Sequence, residues 1–101
     1  MSPDVVWISP SARVKQAIIL LKGYSIDALP VVYSHDSVVG MVYSSTLLGQ
    51  DENASIVDVM DKNYTIVQPD MPVYQAVELM KARMQSHLLV VEAGKLIGIV
   101  S

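Results

Sequence analysis

VYQAVELMKARMQSHLLVVEAGKLIGIVS, residues 73–101, decides how the rest of the chain is read, because an imperfect copy of it occurs earlier. Val14-Lys15-Gln16-Ala17 stands to Val73-Tyr74-Gln75-Ala76 as Leu29-Pro30-Val31-Val32 stands to Leu88-Leu89-Val90-Val91. Both pairs keep one offset of 59 positions, as do Pro10/Pro69 and Lys22/Lys81. The copies slip by one residue before the last strand, so that Gly40-Met41-Val42 answers Gly98-Ile99-Val100. Self-similarity at a fixed period marks a duplicated structural unit, and a loop is where such a unit tolerates a slip.

Outward from that stretch, the earlier copy supplies the elements. Val5-Val6-Trp7-Ile8 is a short apolar run ended by Ser9-Pro10 and predicts a strand. Ser11 is the expected N-cap of a helix whose apolar positions Val14, Ala17, Ile18 and Leu21 recur at helical spacing, with Gly23 closing it. Leu29 to Tyr33 and Val38 to Tyr43 predict a hairpin across the polar turn Ser34-His35-Asp36-Ser37. Ser44, Ser45 and Thr46 offer capping hydroxyls for a short helix through Leu47 and Leu48, stopped by Gly49. The unit is β-α-β-β-α.

The pattern restarts after a polar stretch beginning Gln50-Asp51-Glu52-Asn53-Ala54 and a short helix from Ser55 to Met60 with Ile56, Val59 and Met60 on one side. Thr65-Ile66-Val67 predicts a strand. Asp70 is the expected cap of a helix that accepts Pro72 in its first turn. Val73, Ala76, Val77, Met80 and Met84 form the expected inner stripe of that helix. Leu88 to Val91 and Leu96 to Val100 make the second hairpin. The division is 1–49 for repeat one, 50–63 for the linker with its short helix, and 64–101 for repeat two, which stops one helix short of repeat one. A further C-terminal helix outside this sequence is expected. The fold class is α/β in the α+β sense, with the two repeats sharing one core, since each alone is too short to bury enough apolar surface.

Composition narrows the functions. Hydrophobic residues make up 51% of the 101 and charged ones 17%, which suits strands buried on two faces. Without a cysteine there is no disulfide framework, thiolate metal site or thiol nucleophile. A net charge of −3 with seven Lys and Arg provides no basic field for nucleic acid. No apolar run reaches the roughly 20 residues of a membrane helix, and Met1-Ser2-Pro3-Asp4 does not start a signal peptide. A cytoplasmic location and no membrane partner are expected. Nothing assembles a nucleophile with a base and an orienting group, and His35 and His87 lack a third ligand nearby in sequence, so neither an enzyme nor a metal site is expected.

The repeated helix, Asp27-Ala28-Leu29-Pro30-Val31-Val32, the Gly40-Met41-Val42 strand and the linker helix ending Val59-Met60, each with its second copy, resemble the CBS domain. The whole chain resembles a tandem CBS pair, or Bateman module. That resemblance implies pseudo-two-fold symmetry, two crevices between the repeats, and a regulatory module with no cofactor that takes an adenosine-containing ligand: AMP, ADP, ATP or S-adenosylmethionine. It also implies homodimers through helix faces and a fused or partner effector domain. The family's ligand pattern is Gly and two apolar residues, then Thr or Ser, then an Asp three residues on. A hydroxyl suits a phosphate, and a carboxylate accepts two hydrogen bonds from a cis-diol.

Repeat one departs from that pattern, with Tyr43 at the hydroxyl position and Thr46 at the carboxylate position, where one hydroxyl cannot clamp both ribose oxygens. In repeat two Ser101 fits the hydroxyl position. His87 stands where some nucleotide-binding relatives place a basic residue against phosphate. Thr65 and Ile66 stand where the family lays adenine against strand backbone and an apolar side chain. Asp27 and Ala28 are the counterparts of Ser86 and His87. Trp7, the sole tryptophan, is expected near a crevice. The alternative to ligand sensing is a ligand-free dimerisation module of a larger protein.

Overall fold

A computed structural model describes residues 5–34 and 37–101; His35 and Asp36 of the expected first turn and the start at Met1–Asp4 lie outside the described residues. The chain forms two compact units, Val6–Asn63 and a second that holds Tyr64–Ser101.

In the first unit the expected opening strand shrinks to one bridge. Ile8 pairs in parallel with Val31, donating its N–H to Pro30 O at 3.0 Å and accepting from the Val32 N–H at 2.9 Å. Two residues later Pro10 has no N–H to continue a ladder. Helix α1, Val14–Gly23, begins later than a Ser11 cap predicts. Its first donors are satisfied by the segment ahead in sequence: Val14 N–H reaches Ala54 O at 2.9 Å and Lys15 N–H reaches Glu52 O at 3.0 Å. Gln16 Oε1 accepts from the Arg13 N–H at 2.8 Å, so no serine hydroxyl is needed at that end. Ser11 bonds Ser9 instead. At the other end the left-handed residue is Ser25, with φ 54°, while Gly23 is still helical.

Strands β1, Ala28–Tyr33, and β2, Ser37–Tyr43, pair antiparallel. Val14, Ala17 and Leu21 of α1 are buried against Leu29, Val31 and Val42. Two one-turn helices complete the unit: α2, Ser44–Leu47, stopped by Gly49 at φ 80°, and α3, Ile56–Val59. Residues 50–63 connect the repeats and are also fastened into this unit. Arg13 Nη1 donates to Asn53 O at 2.9 Å, Ile56 N–H reaches Ala12 O at 2.8 Å, and Met41 and Asp61 exchange two backbone bonds of 2.8 Å each.

In the second unit β3, Ile66–Val67, runs parallel to β4, Leu88–Glu92, which pairs antiparallel with β5, Lys95–Val100. Helix α4, Val73–Arg83, has Pro72 and not Asp70 at its cap position, and Pro72 O accepts from Gln75 and Ala76. The residue ahead of a proline is held out of helical backbone, which bars Met71 from opening the helix and Asp70 from capping it, and Pro72 itself is extended at ψ 146°. Its buried edge matches the expected stripe at Ala76 and Met80 and departs from it elsewhere. Ala76 is buried and Leu79 and Met80 pack on Val67 and Leu88, whereas Val73 is 79% and Met84 93% exposed, and Val77 also faces out. Met84 is left-handed, φ 53°, so it has already left the helical line.

The duplication holds at the level of single pairings. Ile8↔Val31 and Val67↔Val90 are equivalent parallel pairs, and the ladder irregularity between Val31 and Val32 recurs between Val90 and Val91. The one-residue slip lies in the hairpin turns, because Tyr33↔Ser37 closes over residues 34–36 and Glu92↔Lys95 over Ala93-Gly94. The shorter turn has φ 51° and 78°, as a two-residue hairpin with the twist of its strands requires. Alanine bears a steric cost there that asparagine largely avoids. Ala93→Asn is therefore expected to stabilise the chain by about 0.5–1 kcal/mol, read from the urea midpoint at constant slope.

Among the described residues no helix is long and apolar enough to cross a membrane.

Candidate ligand-binding faces

Successive strand residues leave on opposite faces, and directly paired residues share one. Val67, Leu88 and Val90 pack with Ala76 of α4, so they define the helix face of the β3-β4-β5 sheet. Ile66 and His87, one residue removed, fall on the opposite face, where Ile66 is 47% exposed. Leu88 pairs with Val100 and Leu89 with Ile99; one further step in that register puts Ser101 opposite His87. Three expected site residues thus share one side of one sheet, on three adjacent strands or their immediate ends.

Chemically this face offers an apolar wall at Ile66 beside an imidazole and a hydroxyl. The wall suits a flat ring, and the two polar groups suit sugar or phosphate oxygens. His87 Nδ1 lies 2.8 Å from Ser86 Oγ, within hydrogen-bond reach of it. Thr65 is placed differently. Its side chain is buried and bonds Gln85 Oε1 and Arg83 Nη1 at the exit of α4, while its carbonyl accepts from the Leu89 N–H at 2.9 Å.

In the Val6–Asn63 unit, Asp27, Ala28, Tyr43 and Thr46 also come together. Ala28 pairs with Tyr43, and Asp27 O accepts from the Ser44 N–H at 2.9 Å and the Ser44 hydroxyl at 3.3 Å. By the repeat correspondence Ala28 and Tyr43 occupy the places of His87 and Ser101. Thr46 is engaged locally: its hydroxyl accepts from the Tyr43 N–H at 3.2 Å and donates to Tyr43 O at 2.8 Å, capping α2. Trp7, the counterpart of Ile66, lines a shallow groove with Ile8, Ala12, Ile19 and Leu20.

Burial pushes the Tyr43 phenol up, and the negative charge of Asp61 adds to the effect. The folded chain therefore keeps this proton where the unfolded chain loses it. Stability from this group is complete below the ordinary phenol value of about 10 and falls as pH rises through the higher folded value. In an alkaline absorbance titration Tyr43→Phe is expected to remove a late-ionising tyrosine and to flatten the loss of stability above about pH 10.

Sequence reading missed the parts played by Arg83, Gln85 and Asp61. The first two could have been found from the end of the helical pattern just before His87. Asp61 is legible beside Met60 as a carboxylate, but its link to Tyr43 has no local signal, since only the folded path of residues 50–63 brings its charge there.

Two β-α-β-β units with duplicated registers and a duplicated irregularity define an α+β tandem repeat. The CBS domain profile matches residues 1–52 and again 56–101, and the chain belongs to the CBS domain family as a tandem pair. Such pairs are typically regulatory. Among curated proteins it resembles the inosine-5'-monophosphate dehydrogenase of Methanocaldococcus jannaschii, 34% identical over 97% of this chain and 20% of that protein. The chain thus spans about a fifth of that relative, and the similarity is one of CBS repeats. Among solved structures, a CBS-domain containing protein from Agrobacterium tumefaciens is 28% identical with a TM-score of 0.86, covering 97% of this chain and 83% of that one. The cytosolic domain of the Mg2+ channel MgtE in complex with ATP shares the fold, with a TM-score of 0.87 at 23% identity, over 100% of this chain and 43% of that one.

Proposed function

We propose that this CBS pair is a regulatory module that takes an adenosine-containing ligand, AMP, ADP, ATP or S-adenosylmethionine, on the face carrying Ile66, His87 and Ser101. The observation behind this reading is the convergence of an exposed apolar wall, an imidazole and a hydroxyl on one sheet face of a family member. The MgtE cytosolic domain, which has this fold, was solved with ATP, and that makes ATP the first probe. Signalling requires that the ligand bind two states of the module unequally, so the bound state must be passed to a fused or partner effector domain, in the cytoplasm. Isothermal titration with ATP, AMP and S-adenosylmethionine is expected to give heat with at least one of them. His87→Ala should weaken that binding about tenfold, as loss of one charge-assisted or polar contact does. Absence of heat with all of them sinks the reading.

A second reading, homodimerisation through helix faces, rests on the apolar outer edge of α4, where Val73 and Val77 are exposed, with Met84 exposed just past its end. Val73→Asp with Val77→Asp is expected to convert a dimer to a monomer in sedimentation velocity; an unmodified chain that is already monomeric at high concentration rules this out.

A further inference from the structure

We infer that Thr65 is a positioning residue, whose buried hydroxyl holds the turn that presents His87 and does not itself meet ligand. This rests on the proposed ligand face. Among the described residues Thr65 is the buried polar one, at 4% exposure, and, one residue before Ile66, its side chain leaves on the side of α4, where it meets Arg83 and Gln85. The hydroxyl is used in both directions: it donates to Gln85 Oε1 and accepts from Arg83 Nη1 at 3.5 Å. A hydroxyl has one proton to donate, and here Gln85 takes it.

The two partners sit on either side of Met84, whose left-handed backbone ends α4. The Met84 N–H still donates to Lys81 O at 3.2 Å and the Gln85 N–H to Met80 O at 2.9 Å; the next paired residue is Leu88. Between Gln85 and the strand the chain covers only Ser86 and His87. The Thr65–Gln85 bond therefore ties the start of that span to β3, while the Thr65 carbonyl, holding the Leu89 N–H at 2.9 Å, ties its far end. One residue grips both sides of the His87 turn. Loss of the hydroxyl removes the side-chain tie between Gln85 and Thr65 and leaves the near end held by the Gln85 N–H at Met80 O, so the turn carrying Ser86 and His87 shifts.

Thr65→Val keeps shape and removes the hydroxyl, Thr65→Ser keeps the hydroxyl, and Gln85→Met removes the acceptor from the other side. The readout is the nitrogen chemical shifts of the His87 imidazole in the full chain, alongside ATP titration. Thr65→Val and Gln85→Met are each expected to move the His87 nitrogens toward the values of a freely rotating histidine and, where ATP binds, to weaken it about tenfold. Thr65→Ser should leave both unchanged. If the His87 nitrogens stay put in Gln85→Met and in folded Thr65→Val, the positioning role is wrong. Shifted nitrogens in a chain that binds none of the nucleotides would keep the positioning role and remove the ligand reading instead.

Discussion

Ile56→Ala is expected to lower the unfolding free energy by about 2–5 kcal/mol, the range for emptying a fully buried aliphatic site. By sequence Ile56 belongs to the connection between the repeats, and a residue on a simple tether would cost within about 0.5 kcal/mol. The structure places it at 0% exposure in one cluster with Val14, Leu21, Leu29 and Val42. Its N–H is bonded to Ala12 O, and neighbouring carbonyls cap α1, so the cavity cannot close by moving α3 alone. Urea unfolding reads the effect as a lower midpoint at unchanged slope. Val57→Ala, on the exposed side of the same turn, is the control and should barely move it.

Gly40→Ala should cost about 1–3 kcal/mol although its backbone needs no glycine, because the added carbon would be overpacked. A Cβ built there meets Met60 Sδ at 2.6 Å, Met60 Cγ at 2.9 Å and Asp61 O at 3.2 Å. The thioether can swing aside, but the Asp61 carbonyl is held by its pairing with Met41. Met60→Ala in the Gly40→Ala background is therefore expected to recover only part of the loss, leaving a coupling of about 0.5–3 kcal/mol between the two sites. Gly98, the repeat counterpart, has Val90 Cβ at 3.9 Å as its nearest neighbour. Gly98→Ala is expected to stay within about 0.5 kcal/mol. Thermal melting of Gly40→Ala, Met60→Ala, their double variant and Gly98→Ala yields the coupling and separates the two glycines directly.

Much of the fold was legible because the repeat was. Leu29-Pro30-Val31-Val32 and its copy could be aligned by eye, and the pairings of Val31 and Val90 follow that alignment residue for residue. Gly49 stops α2 because its positive φ is a backbone property that glycine signals locally. Caps were less legible. Ser11 and Asp70 have the right side chains, but a helix N-terminus is served equally well by carbonyls from distant chain, as Ala54 and Glu52 serve α1. The stripe on α4 held at Ala76 and Met80 and failed at Val73, Val77 and Met84: a 3.6-residue period locates an apolar face, and small rotations decide whether Leu79 or Val73 and Val77 lie beside them.

For the candidate site, residue types came from sequence and sides came from structure. That Ile66, His87 and Ser101 belong together was implied by family pattern; that they share a face follows from which of Val67 and Leu88 pack under α4. Thr65, adjacent to Ile66, goes to the other face with Gln85 and Arg83.

By itself the sequence determined the order of elements, the duplication and the family, since these are written in local patterns that recur at a fixed spacing. Tertiary structure alone decided which carbonyls cap α1, which glycine is crowded, and which charge reaches Tyr43. Those depend on distances between residues remote in the chain, and the path of residues 50–63 sets them only once α3 is folded onto α1 and β2.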